Sequence, residues 1–152
     1  MDVKLINPFL NAVSGIMPQI GFSSVERKGV SLHKETIQAD GVVMTLGIVG
    51  DKKGNVVYNL DMESAKKVAS TMMMGMPVDE LNDMAKSALS ELSNMLTANS
   101  SINFSNEGIV LDISVPTLLC GEDIRVNMKK DQVVCVDFDI DGILMKVFVA
   151  ME

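Results

Sequence analysis

The segment at residues 80–99 has the strongest helical period in the chain and constrains the fold more than any other stretch. Its apolar side chains recur three and four residues apart, so they fill one broad side of a helix. These side chains are Leu81, Met84, Ala85, Ala88, Leu89, Leu92, Met95 and Leu96. An apolar helix side has to be buried, so we expect this helix to pack on a core. Asp79 is its predicted N-cap, because a carboxylate there can accept a hydrogen bond from a free backbone N–H group.

Capping and stop residues predict two further helices. Asn7 before Pro8 has the form of an N-cap followed by proline at the first helical position, and this helix is expected to end near Gly21. Asp61 can cap another helix, which Gly75 helps to end. The inner face of that helix is expected to carry Ala65, Val68, Ala69, Met72 and Met76.

Runs of β-branched residues separated by turn signals predict the strands. Residues 42–49 and 55–60 flank a glycine-containing turn, which indicates a hairpin. Short strands are plausible up to Cys120, and residues 122–128 are expected to begin a second sheet region. We therefore expect one α/β domain of the α+β type over residues 1–152, with about three helices packed on a mostly antiparallel sheet of about six strands.

A second hairpin is predicted at the end of the sequence. Residues 133–140 and 143–150 are joined by Asp-Gly at residues 141–142, the dipeptide best suited to a two-residue hairpin turn. In this register Asp137 faces Lys146 on a side expected to be wet, while apolar residues line the other side.

Charge and composition exclude several classes of protein. The formal charge of −7 argues against a nucleic-acid partner, because binding to phosphate backbones requires clustered lysine and arginine. No stretch reaches the ~20 apolar residues that span a bilayer, and the N-terminal segment is not a continuous apolar leader. Cys120 and Cys135 lie in apolar, strand-like surroundings and are expected to be buried and reduced. We therefore expect a cytoplasmic protein with no membrane association.

One acidic pattern imitates a metal site. Asp137, Asp139, Asp141 and Gly142 reproduce the opening of an EF-hand calcium loop. That loop requires a bidentate glutamate at its twelfth position, where this chain has Phe148. The flanking segments are also strands rather than helices, so a surface hairpin is the better interpretation.

His33 is the only histidine of the chain. No cysteine or acidic pair lies near it at zinc-ligand spacing, so a metal site there is not predicted. A triad or a Cys–His dyad needs a histidine that the fold places beside a nucleophile, and one histidine on a strand or loop gives weak support for either.

A polar stripe lies on the side of the residue 80–99 helix that faces away from its apolar side. Ser87, Glu91 and Asn94 follow an i, i+4, i+7 spacing, which places them within about a sixth of the helix circumference. We refer to these three residues as the polar ridge. Similar pairs of Glu and Asn are common on solvated helices, so the spacing alone does not distinguish a site from ordinary surface.

Residues 87–95, Ser-Ala-Leu-Ser-Glu-Leu-Ser-Asn-Met, resemble the signature of the CheC, CheX and FliY phosphatases. The signature is Asp or Ser, three residues, Glu, two residues and Asn, and the chain matches every specified position. The resemblance extends to the helix start at Asn7, the methionine-rich residues 72–76, the Pro116-Thr117 step and the closing hairpin. The first helix contains no glutamate, so the chain has one signature, as CheX-type members do.

The resemblance implies a CheC-like fold and hydrolysis of the phospho-aspartate of a CheY-type response regulator. It implies that Asn94 positions the attacking water and that Glu91 pairs with the regulator's lysine beside the phosphoryl group. Ser87 is implied only as a secondary partner contact. The chain is expected to bind no cofactor of its own, since the phosphorylated regulator carries Mg²⁺. The resemblance also implies a homodimer whose sheets join across a two-fold axis.

Two other functions remain compatible with these residues. A non-catalytic adaptor, such as a flagellar-switch module, could use the same helix only to bind the regulator. A purely structural, sheet-forming dimer would have no affinity for phosphorylated regulators. A phosphatase accelerates loss of the phosphoryl group, whereas an adaptor binds the regulator without accelerating it. A structural dimer does not bind the regulator.

Overall fold

Residues 3–152, which the computed structural model of this chain describes, form three α-helices and one seven-stranded sheet. A 3-10 turn at Val3–Leu5 precedes the first helix. The helices are α1 (Asn7–Ile20), α2 (Met62–Met72) and α3 (Asp83–Ser105). The strands are β1 (Val25–His33), β2 (Thr36–Gly50), β3 (Gly54–Leu60), β4 (Leu111–Ile113), β5 (Thr117–Asn127), β6 (Val133–Ile140) and β7 (Ile143–Met151). The predicted α+β architecture is confirmed, with one strand more than expected.

All neighbouring strands are antiparallel and belong to one sheet. Their order is β1-β6-β7-β3-β2-β4, and β5 also pairs with β2. The length of β2, 15 residues, lets its last residues pair with β4 and its earlier residues with β5. The expectation of a second sheet region at residues 122–128 is wrong, because β5 continues through these residues opposite a bulge between Ala39 and Gly41.

Apolar side chains are buried on both faces of the sheet. The larger cluster lies under the helices and includes Phe9, Leu46 and Leu89. The smaller cluster includes Val57 and Phe148, whose sequence neighbours belong to the larger one. Successive strand residues point to opposite faces, so the smaller cluster lies on the face away from the helices.

The closing hairpin has the predicted register. Asp137 pairs with Lys146 across β6 and β7, and the carboxylate and ammonium groups are 3.7 Å apart. Cys135 and Phe148 point to the same side and are nevertheless buried in the smaller cluster. The side of the hairpin that carries Asp137 and Lys146, which was expected to be solvated, is therefore partly buried.

The acidic residues of this hairpin bind its own backbone. The Asp139 carboxylate accepts a hydrogen bond from the Gly142 N–H group at 2.8 Å. The Asp141 carboxylate accepts from the N–H groups of Ser23 and Ser24, both at 2.8 Å. These contacts tie the hairpin to the start of β1, as suits a structural turn. Residues 3–152 contain no group of three metal-ligating side chains that could hold an ion.

The two cysteines are both free but lie in different surroundings. Burial raises the pKa of the Cys135 thiol to about 12, so this thiol stays protonated. Cys120 is exposed, because β5 pairs only with β2 and lies at an edge of the sheet. The predicted burial is correct for Cys135 and wrong for Cys120. In the described part of the chain no helix is long and apolar enough to cross a membrane.

The helix ends agree only partly with the predictions. Asp61 caps α2 as predicted, since its carboxylate accepts from the Ser64 N–H group at 2.7 Å. Asn7 does not cap α1: it is the first helical residue, and Ile6 occupies the cap without a side-chain hydrogen bond. Met76 lies beyond the end of α2 and is exposed, so it is not part of that helix's inner face.

The start of α3 is three residues later than a cap at Asp79 would place it. The side chain of Asn82 accepts a hydrogen bond from the Ala85 N–H group at 2.9 Å and is the N-cap. Val78 and Leu81, in the non-helical chain that precedes α3, are half-buried against the core. The helix also continues past Asn99 to Ser105, because Phe104 packs on Phe9 with their ring centroids 5.5 Å apart.

The two candidate caps can be compared directly by mutation. Asn82→Ala is expected to lower the free energy of unfolding by about 1 kcal/mol, because it removes the side-chain bond to a free helix N–H group. Asp79→Ala, which removes an exposed carboxylate outside the helix, is the matched control and should have little effect. Urea denaturation measures both. A larger loss for Asp79→Ala would contradict this assignment of the cap.

Candidate functional site

Helix α3 is held against the sheet by one buried face. The buried residues are Ala85, Leu89, Leu92, Ser93, Leu96, Thr97, Ser100 and Phe104. Met84 was predicted on this face but is 60% exposed. It lies seven residues before Glu91, which is close to two full helical turns, so both side chains point to the same outer side.

A buried hydrogen bond fixes the rotation of α3 about its axis. The hydroxyl groups of Tyr58 on β3 and Thr97 on α3 are 3.0 Å apart. Thr97 donates its own proton to the Ser93 carbonyl oxygen at 2.8 Å, so the Tyr58 hydroxyl is the donor to Thr97. Burial raises the pKa of Tyr58 and keeps that proton in place. The ridge faces outward because the buried residues Leu89, Leu92 and Leu96 lie on the opposite side of α3.

The structure brings all three predicted site residues together on the outer side of α3. Ser87 and Glu91 are exposed, and Asn94 is partly exposed. Together they line a groove of about 570 Å³, which we call the ridge groove. Within residues 3–152, no hydrogen bond or ion pair engages the side chains of these three residues. Their polar atoms are therefore available to another molecule.

The ridge groove also contains residues that were not predicted. Lys86 and Ser90 line it beside the ridge on α3, and Val115 and Pro116, between β4 and β5, form its other wall. The positions of Lys86 and Ser90 could have been found on a helical wheel, because they flank the ridge one turn apart. The Pro116-Thr117 step was noted in the sequence, but no local pattern indicates that this segment lies beside α3.

The charges in the ridge groove are few and separated. Glu91 and Asp83 provide carboxylates, and Lys86 provides an ammonium group. Among the described residues neither Glu91 nor Lys86 has an ion-pair partner within 4.0 Å. The site therefore combines a free carboxylate, a free amide and a free cation on a surface open to a large partner.

Comparisons with known proteins identify the family of this chain. A sequence model described as chemotaxis phosphatase CheX matches residues 42–139, which include the polar ridge. The CheY-P phosphatase CheX of Thermotoga maritima is 32% identical to this chain over 133 residues, which are 83% of this chain and 81% of that protein.

Solved structures share the fold over almost the whole chain. The chemotaxis protein CheX from Desulfovibrio desulfuricans has a TM-score of 0.87 at 20% identity and covers 99% of this chain and 100% of its own. The CheX–CheY–BeF3–Mg²⁺ complex from Borrelia burgdorferi contains a match with a TM-score of 0.84 at 25% identity, which covers 99% of both chains. The predicted CheC-like fold is confirmed.

Proposed function

Because the chain belongs to the CheX family of chemotaxis phosphatases, we propose that it removes the phosphoryl group from the phospho-aspartate of a CheY-type response regulator. One observation carries the proposal: the side chains of Glu91 and Asn94 lie on one outward ridge without partners among the described residues. The CheX of Borrelia burgdorferi was solved with CheY, BeF3 and Mg²⁺, which supports a regulator of this kind as the partner.

Hydrolysis of an acyl phosphate needs a water molecule in line with the bond that breaks. The water oxygen forms a bond to phosphorus, the bond between phosphorus and the aspartate oxygen breaks, and the aspartate leaves as a carboxylate. One proton of the water remains on the phosphate product and the other passes to solvent. The regulator's own Mg²⁺ balances the charge of the phosphoryl oxygens, so this chain is proposed to bind no cofactor.

Asn94 is assigned to hold the attacking water. Its amide oxygen can accept a hydrogen bond from the water, while its NH2 group can donate to the water or to a phosphoryl oxygen. A neutral amide can approach the phosphoryl group without the charge repulsion that a carboxylate would meet. The partial exposure of Asn94 beside the open ridge groove supports this assignment.

Glu91 is assigned to pair with the lysine that lies beside the regulator's phosphoryl group. The carboxylate is exposed, one helical turn before Asn94, and has no partner in the described part of the chain. A charge-assisted hydrogen bond at this distance along the helix would fix how deeply Asn94 enters the regulator's site. Ser87, one further turn away on the same ridge, is a secondary contact.

The proposal is tested by the decay of a radiolabelled phosphoryl group on a CheY-type regulator. Catalytic amounts of this protein should shorten the half-life about a hundredfold and release inorganic phosphate over many turnovers. An adaptor would bind the regulator and leave its half-life unchanged. A purely structural dimer would show neither binding nor acceleration, and either of these results would refute the phosphatase.

Two copies of the chain are proposed to form a homodimer through their sheets. β1 lies at one sheet edge and exposes Val30 and Leu32, which are 68% and 73% accessible. An exposed apolar edge strand favours pairing with another strand. Light scattering should give twice the chain mass of 16.4 kDa, and a single-chain mass at micromolar concentration would argue against the dimer.

We further propose that residues 1–152 act as one phosphatase domain in the cytoplasm. The single sheet, to which every strand of residues 3–152 belongs, supports one domain. The two free thiols, Cys120 and Cys135, are in keeping with a reducing compartment.

A further inference from the structure

Among the side chains of residues 3–152 that line the ridge groove and that the proposed chemistry does not use, Lys86 is the one cation and Val115 is an exposed apolar residue. They come from its two walls: Lys86 lies on α3 and Val115 lies between β4 and β5. Lys86 precedes Asn94 by eight residues, or about 12 Å of helix rise. The Val115 side chain has no polar atom and Lys86 lies about two helical turns from Asn94, so the role considered for both is in binding.

Val115 is presented to solvent by a fixed segment of backbone. The preceding Ser114 makes two hydrogen bonds to the backbone of Gly47 on β2. Its N–H group donates to the Gly47 carbonyl at 2.9 Å, and its hydroxyl accepts from the Gly47 N–H group at 2.8 Å. The same hydroxyl donates to the Val115 carbonyl at 3.0 Å. Pro116 follows and restricts Val115 to an extended backbone. The Val115 side chain, which is 83% exposed, is therefore held in this position by the backbone bonds of its segment.

Lys86 is a half-buried cation without an ion-pair partner in the described part of the chain. Its aliphatic stem can pack along α3 while its ammonium group reaches the ridge groove. Glu91 follows five residues later, about 7.5 Å along the helix axis. The groove thus offers the Asp83 carboxylate, the Lys86 cation and the Glu91 carboxylate in this order along α3, with an apolar segment opposite.

A regulator that brings its phosphoryl group to Asn94 must cover these residues too. A specific interface buries about 800 Å² on each partner, which is far more than Glu91 and Asn94 alone can supply. The adjoining surface is the remainder of the same groove, which includes Lys86 and Val115. The interface that the proposed function requires is therefore continuous with both side chains.

We propose that Lys86 and Val115 form a docking contact for the phosphorylated response regulator, an inference that rests on the proposed function. Val115 contacts an apolar side chain near the regulator's phosphorylation site, and Lys86 pairs with a carboxylate on the same surface. With Glu91 bound to the regulator's lysine and Lys86 bound to its carboxylate, the two ion pairs fix the orientation of the partner. Lys86 and Val115 thereby determine affinity and partner choice, while Asn94 acts on the bond that breaks.

The test separates affinity from turnover by following phosphoryl decay on a labelled CheY-type regulator over a range of regulator concentrations. Lys86→Glu is expected to raise KM about tenfold, and Val115→Ser about fivefold, with kcat changed by no more than about twofold. The effect of Lys86→Glu should shrink at high ionic strength, because salt screens an exposed charge pair. Lys86→Gln, which removes the charge without reversing it, should give a smaller rise than Lys86→Glu.

Two control variants carry the same chemical changes away from the ridge groove. Lys67→Glu alters an exposed lysine of α2 and reproduces the change in net charge. Val110→Ser alters an exposed valine of the loop before β4. Both should retain the parent KM, and circular dichroism shows whether each variant is folded.

The outcomes distinguish this inference from the function on which it rests. If the parent protein fails to accelerate decay, the proposed function is wrong and the docking contact fails with it. If the parent accelerates decay but Lys86→Glu and Val115→Ser keep the parent KM, or match their controls, only the docking contact is overturned. A fall in kcat at unchanged KM would also overturn it.

Discussion

The Asn94→Ala variant is expected to lose about a hundredfold in kcat for phospho-aspartate hydrolysis, which corresponds to ~2.7 kcal/mol of activation free energy. The methyl group of alanine can neither accept from the attacking water nor donate to it. Binding of the regulator should change little, because the Glu91 contact and the groove walls remain. Single-turnover decay at saturating protein measures kcat, and titration with a beryllofluoride-loaded regulator measures affinity.

The side chain of Asn94 makes no hydrogen bond within residues 3–152, so its removal should not lower stability. Asn99→Ala, a change of the same type on α3 but away from the ridge groove, is the control and should keep the parent kcat, even though it also removes a 3.4 Å hydrogen bond from the Asn103 side chain. The assignment of Asn94 fails if Asn94→Ala turns over like the parent. It fails equally if the variant loses regulator binding in proportion to activity, since that result would make Asn94 a binding residue.

The Glu91→Gln variant is expected to raise KM about thirtyfold with a small change in kcat, because loss of the negative charge weakens the contact with the regulator's lysine by about 2 kcal/mol. Glutamine keeps the shape and length of the side chain, so the effect reports on charge. The rise in KM should be smaller at high salt, because salt also screens the charge-assisted contact of the parent protein. Steady-state decay measurements at several regulator concentrations give both constants.

Glu107→Gln, in the exposed loop after α3, removes the same charge from a position outside the groove. It should behave like the parent. A large fall in kcat for Glu91→Gln at unchanged KM would contradict the proposed pairing and would give Glu91 a part in the chemistry.

Much of the site could be predicted because it lies within one helix. The spacing of Ser87, Glu91 and Asn94 requires only the helical period, and the opposite apolar residues indicate which side is buried. The closing hairpin was predictable for a similar reason, since its Asp-Gly turn fixes the pairing of Asp137 with Lys146. Local rules suffice where the residues that decide the structure are close in sequence.

The remaining features depend on contacts between distant parts of the chain. Asp79 and Asn82 are both suitable caps by residue type, and the structure has Asn82 in that role, next to Leu81, which packs on the core. Cys120 lies in an apolar sequence, but its exposure follows from the edge position of β5. Val115 lies more than twenty residues after Asn94, and only the pairing of β4 and β5 with β2 brings it to the ridge groove.

The most direct measurement is a crystal structure of this protein bound to a CheY-type regulator that carries beryllofluoride and Mg²⁺ in place of the phosphoryl group. We expect the Asn94 amide to lie one hydrogen-bonded water away from the beryllium atom, in line with the aspartate oxygen. A direct contact between Glu91 and the regulator's lysine is also expected. A complex in which α3 faces away from the beryllofluoride, or in which another side chain occupies the in-line position, would contradict the roles assigned to Asn94 and Glu91.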